Sequence, residues 1–114
     1  MQWKTGMKHM TKIVFAPVFL LSLSTVAAAA PDTPRQAELL YLLNQDCGAC
    51  HGLTRKGGLG PALLPENLRD RPATLLVNTI LDGRDGTPMP PLRGELSEQD
   101  AQWLVEVLRN GEGL

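Results

Sequence analysis

Few residue types in this chain can carry chemistry, and that scarcity is the first thing the sequence says. There are two cysteines in 114 residues, Cys47 and Cys50, and two histidines, His9 and His51. A zinc site needs four ligands, usually including further Cys or His elsewhere. His9 sits in a segment read below as removed, so such a site would have to be completed from a chain with almost nothing left to offer. Aromatic residues make up 4% of the sequence, and past Ala30 only Tyr41 and Trp103 remain. No basic tract suited to nucleic acid occurs. No strand-like alternation and no internal repeat is visible beyond residue 30. The one long apolar run, Ile13 to Leu23, is short of the ~20 residues that span a bilayer.

That run belongs to an N-terminus with the form of an export signal. Lys4, Lys8 and Lys12 supply a positive leading region, and Val26-Ala27-Ala28-Ala29-Ala30 supplies small residues at the spacing of a cleavage site. Cleavage after Ala29 is expected, leaving a signal peptide over residues 1–29 and one domain over residues 30–114. The competing reading is an uncleaved anchor, but no basic stop-transfer cluster follows the run. From Ala30 onward, 8 Lys and Arg against 12 Asp and Glu give a net charge of −4. The same stretch holds one histidine, His51, and one methionine, Met89.

What the chain does have is Cys47-Gly48-Ala49-Cys50-His51. Two thiols separated by two residues can reach the two vinyl groups on one side of a porphyrin and form thioethers. The imidazole that follows can then bind the iron through Nε2. A thioredoxin-like pair would want a preceding strand and a βαβ unit, and neither is visible. A plain Cys47–Cys50 disulfide is open but leaves His51 unexplained. The motif therefore points to one covalently held haem c, with Cys47, Cys50 and His51 as its attachment residues. A domain of about 85 residues buries too little surface to be comfortably stable without a staple. A covalent haem would be that staple, and the thin aromatic content suits a core built on the cofactor.

The rest of the chain reads as short helices and rigid loops. Thr33 as N-cap, Pro34 and Gln36 predict a helix over about Thr33 to Asp46, with Tyr41 as a core or helix-contact residue. Leu53 to Pro61 is a glycine-rich loop expected to wrap the haem's proximal face. Its Gly60-Pro61 pair is placed to offer a carbonyl to Nδ1 of His51, although an ordinary turn is the alternative. Pro65-Glu66-Asn67-Leu68 suggests one helical turn. Pro72 to Asp82 predicts a helix closed by Gly83 as a left-handed cap. In Arg84-Asp85-Gly86-Thr87-Pro88-Met89-Pro90-Pro91 three prolines bracket Met89. A stiffened loop is poor packing context for a methionine and good context for a second axial ligand. Ser97 and Asp100 form a capping box for a last helix ending at Asn110-Gly111. Arg55, Lys56, Arg84 and Arg93 are candidates for a basic rim.

This order of features resembles the class I cytochromes c. There an N-terminal helix leads into Cys-x-x-Cys-His, a Gly-Pro pair follows, and a Met in a Pro-flanked loop precedes a C-terminal helix. The matching residues are Cys47, Cys50, His51, Gly60-Pro61, Met89-Pro90 and the helix from Ser97. The resemblance implies an all-α fold of three to four short helices around one haem, with His51 and Met89 as metal ligands. The segments Gln45 to Thr54, Lys56 to Pro61 and Gly86 to Pro91 narrow it to the cytochrome c-55X family, small periplasmic cytochromes of denitrification gene clusters. That resemblance implies a one-electron carrier in the periplasm and no catalytic residues. Its partners would be a nitrite reductase, a haem-modifying enzyme or a quinol–cytochrome c reductase. The competing function is a haem enzyme or gas sensor with an open distal site, which would need acid–base groups around that position.

Overall fold

The computed structural model describes residues 29–112. The signal segment read over residues 1–29 lies outside the described residues except for Ala29. All regular structure among the described residues is helical: α1 (Thr33–Leu42), a π-helical turn (Leu43–Cys47), α2 (Gly48–His51), α3 (Pro65–Leu68), α4 (Ala73–Asp82) and α5 (Glu98–Asn110). The all-α fold expected from the sequence is the one observed.

The first cap differs by one residue from expectation. Asp32 is the N-cap of α1, its carboxylate accepting from the Arg35 backbone N–H at 3.1 Å, and Thr33 begins the helix. The larger difference lies at the other end. The helical run does not stop at Asp46 but continues through the π turn to His51, ending at Gly52. Asn44-Gln45-Asp46 reads as a stop because such side chains compete for nearby backbone groups. Here the Asn44 side-chain oxygen is already engaged, accepting from the Arg55 guanidinium at 2.9 Å. A π turn widens the helix by one residue and so changes which side chains downstream share a face.

Tyr41 is 71% exposed, against the expectation of a core or contact role. The buried face of α1 is set by Leu39 and continues into Leu43, each 1% exposed. At about 100° per residue Tyr41 points roughly opposite to Leu39. Pro65–Leu68 forms the expected single turn, and Ala73–Asp82 the expected helix, with Pro72 as its N-cap.

The centre of the fold is α5. Ser97 accepts from the Asp100 backbone N–H at 3.1 Å, and the Asp100 carboxylate accepts from the Ser97 N–H at 3.0 Å, completing the capping box. Gly111 closes the helix in the left-handed conformation. Ala101, Leu104, Val105, Val107 and Leu108 are buried along it, and α1, α3 and α4 all pack against it. Leu39, Leu43, Leu81 and Leu104 are the largest fully buried side chains, each worth about 1.5–3 kcal/mol of burial.

Polar ties fix how the helices cross. Arg35 on α1 donates to Asp100 on α5 through Nε (3.3 Å) and Nη2 (3.0 Å), and also to the Glu95 carbonyl (3.2 Å). Arg109 donates to the carbonyl of Arg69 at 2.6 Å, holding the end of α5 to the end of α3.

Candidate haem site

The helical run α1–π–α2, the loop after it, α4, the loop after α4 and α5 enclose one cleft of about 400 Å³. Its walls are mainly apolar: Leu43 from the π turn, Leu76 and Ile80 from α4, Leu104 and Leu108 from α5. Cys47, Cys50, His51 and Met89 all line it. Residues 38 or more positions apart in sequence thus meet in one apolar enclosure. An apolar cleft carrying a few convergent polar groups is the usual form of a cofactor site. The charged residues among those lining it are Asp46 and Arg84.

His51 is the best-defined member. Its Nδ1 lies 2.7 Å from the carbonyl oxygen of Pro61. A carbonyl can only accept, so the bond places the proton on Nδ1 and leaves the Nε2 lone pair free for a metal. The Gly60-Pro61 pair does what the sequence expected of it. Gly60 contributes separately: a Cβ built there would lie 2.7 Å from Cε1 and 2.8 Å from Nδ1 of the imidazole. The backbone at residue 60 is packed flush on the ring, and only glycine leaves room for it.

Cys47 and Cys50 are free and partly buried. Burial pushes the Cys47 thiol above its ordinary value, and the Asp46 carboxylate adds to the effect. Among the described residues no group of three or more His, Cys, Asp and Glu could hold a metal ion, so the zinc reading finds no partners here.

Met89 is held at both backbone groups. Its N–H donates to the Thr87 hydroxyl (3.3 Å) and its carbonyl accepts from the Arg84 N–H (3.4 Å). Thr87 in turn donates to the Arg84 carbonyl at 2.8 Å. The prolines single out Met89 in the sequence but give no sign of Thr87, whose place two residues before Met89 was the available signal.

The four basic-rim candidates separate. Arg84 lines the cleft and Lys56 is exposed. Arg93 pairs with Asp82 at 2.7 Å on the surface. Arg55 is not a rim residue at all: it is 3% exposed, adopts φ 57°, and donates to Asn44 and to the Glu112 carbonyl (3.0 Å). It works as a tether between the π turn, the glycine-rich loop and the end of the chain.

A helical fold of this order, with Cys-x-x-Cys-His and a distant Met on one apolar cleft, is that of a c-type cytochrome domain. The family described as cytochrome c oxidase, cbb3-type, subunit III matches residues 34–107. Cytochrome c55X of Pseudomonas aeruginosa is 51% identical over 110 residues, 96% of this chain and 92% of that protein. The chain belongs to the cytochrome c55X family. The solved structure of the c-type cytochrome NirC superposes with a TM-score of 0.72 at 60% identity, covering 73% of this chain and 98% of that one. Dihydro-heme d1 dehydrogenase NirN in complex with DHE superposes with a TM-score of 0.56 at 42% identity. There the match covers 60% of this chain but 15% of the larger protein, so the similarity is to one segment of it.

Proposed function

We propose that this chain is a periplasmic one-electron carrier holding one haem c, with Cys47 and Cys50 as thioether attachments and His51 and Met89 as axial ligands. The observation that carries the reading is the convergence of these four side chains on one apolar cleft. When bound, haem supplies a ferrous–ferric couple that accepts and releases a single electron. The two cysteines would anchor the ring to the helical run, and the Pro61 carbonyl holds His51 in the tautomer and orientation a ligand needs. The Thr87 and Arg84 bonds hold Met89 at the cleft from a different element, where it would join His51 in holding the group. The apolar walls from α4 and α5 would surround the group with a low-dielectric shell.

The physiological partners we propose follow the family: a periplasmic nitrite reductase, an enzyme that modifies its special haem, or a quinol–cytochrome c reductase. Similarity to a segment of a protein titled dihydro-heme d1 dehydrogenase favours the haem-modifying setting. Export by a signal peptide over residues 1–29 is part of the proposal. No helix among the described residues is long and apolar enough to cross a membrane.

Intact-mass spectrometry of the protein purified from periplasm, joined to a spectroscopic redox titration, tests this reading. The expected species begins at or within a residue or two of Ala30, carries one haem and titrates as a single one-electron couple. A product beginning at Met1 would remove the export claim, and a chain without covalent haem would remove the carrier itself.

A further inference from the structure

Gly83 follows the last residue of α4 and opens the loop that carries Met89. The sequence assigns it only a helix-ending role, and the structure gives it a different conformation from the expected left-handed cap: φ 70°, ψ −162°. That region is open essentially to glycine alone. Its surroundings are tighter still. A Cβ at residue 83 would stand 2.6 Å from the Met89 carbonyl oxygen, 2.9 Å from the Pro90 carbonyl carbon and 2.9 Å from the Pro91 nitrogen. All three atoms are backbone, stiffened by the prolines, so none can swing aside as a side-chain tip would.

The loop is also closed at its neck. The Leu92 N–H donates to the Leu81 carbonyl (3.0 Å) and to the Ile80 carbonyl (3.3 Å), and the Arg93 N–H donates to the Leu81 carbonyl (3.0 Å). With Arg84 N–H donating to the Met89 carbonyl, the segment from Met89 to Arg93 is bonded back along the end of α4. Any atom added at residue 83 sits inside that closed ring and must push the Met89 segment outward.

We infer that Gly83 is a positioning residue for the distal ligand: the absence of its side chain is what lets the end of α4 press Met89 into the cleft. The inference rests on the reading of Met89 as an axial ligand and adds the residue that controls how firmly it is held. Its consequence is a ligand-exchange property. Displacing the Met89 backbone weakens sulfur ligation without touching the attachment motif, the Met89 side chain's chemistry or the walls from α4 and α5.

The loop contains its own control. Gly86 also has a positive φ, 71°, yet a Cβ there meets nothing within 4 Å. Gly83→Ala and Gly86→Ala therefore both impose a disfavoured conformation, and only the first adds a collision with the ligand segment.

The test compares holoproteins of the wild type, Gly83→Ala, Gly86→Ala and Met89→Ala. Three readouts apply: the far-red sulfur–iron band of the oxidised form, the rate at which added imidazole binds, and haem staining with helical circular dichroism to verify attachment and fold. Gly83→Ala is expected to weaken or lose the band and to bind imidazole at least about tenfold faster. Gly86→Ala is expected to stay close to wild type, and both should keep covalent haem and helix content. A normal band and slow imidazole binding in Gly83→Ala would overturn the inference, as would equal effects in the two glycine variants. If Gly83→Ala does not accumulate, Thr87→Ala, which adds no atom and removes the bond to the Met89 N–H, takes its place. Faster imidazole binding in that variant supports the positioning role of the loop, and an unchanged rate overturns it. A wild-type protein without the band would instead refute ligation by Met89, and the role of Gly83 would fall with it.

Discussion

At His51 a single bond and a single missing side chain define how the imidazole is held. The Pro61 carbonyl fixes the tautomer, and the bare Cα of Gly60 fixes the plane in which the ring can lie. Gly60→Ala adds a methyl group 2.7 Å from ring carbon and is expected to force the imidazole or the loop to shift. Overpacking of this kind costs about 1–3 kcal/mol. In a domain of this size that corresponds to a fall in melting temperature of about 4–8 °C for each kcal/mol. Thermal unfolding followed at the haem absorption band checks it, and an unchanged melting curve would mean that the loop yields freely. The bond from His51 could be expected from sequence because Gly-Pro is a recognisable pair with few uses. The packing of Gly60 and Gly83 could not, because which atoms approach a glycine depends on segments brought together only by the fold. Arg55 was misplaced for a similar reason. A lone arginine in a glycine-rich loop reads as surface, and only Asn44 and the Glu112 carbonyl, distant in the chain, explain its burial.

Among the elements, the crossing of α1 and α5 is held by Arg35 and Asp100, which is 7% exposed. The Arg35 guanidinium, with the Ser97 cap bonds after it, holds the Asp100 carboxyl below its ordinary value of 3.8, against the opposing effect of burial. A carboxyl depressed in the folded state contributes stability that is fully present above its unfolded value and is lost as pH falls through the folded one. Asp82 is depressed too, by Arg93, but that pair is exposed and contributes little. Asp100→Asn is therefore expected to lower stability at neutral pH. The gap to wild type should then close as pH drops below about 4. Urea unfolding at a series of pH values measures this, and a gap independent of pH would show that the charge on Asp100 is not what holds the helices. The capping box at Ser97 and Asp100 was plain in the sequence, since it is a local pattern. The pairing with Arg35, 65 positions away, was not. The π turn was hidden as well: Asn44-Gln45-Asp46 signals a stop by local preference, and a tertiary partner for Asn44 overrides it.

Over the whole molecule, scarcity made the site legible. A chain with one His and one Met beyond residue 30 leaves few ways to fill two axial positions. Three of the four proposed ligating or attaching residues come from one continuous helical run. The fourth comes from the loop that follows α4, and α5 supplies part of the wall of the cleft they share. We propose that His51 and Met89 together ligate the iron, an arrangement that would suit a carrier and leave no position open to small ligands. The far-red absorption of the oxidised protein, compared between wild type and Met89→Ala, tests this most directly. A weak sulfur–iron charge-transfer band is expected in the wild type, with its complete loss in Met89→Ala. A band that survives in Met89→Ala, or is missing from the wild type, would contradict it.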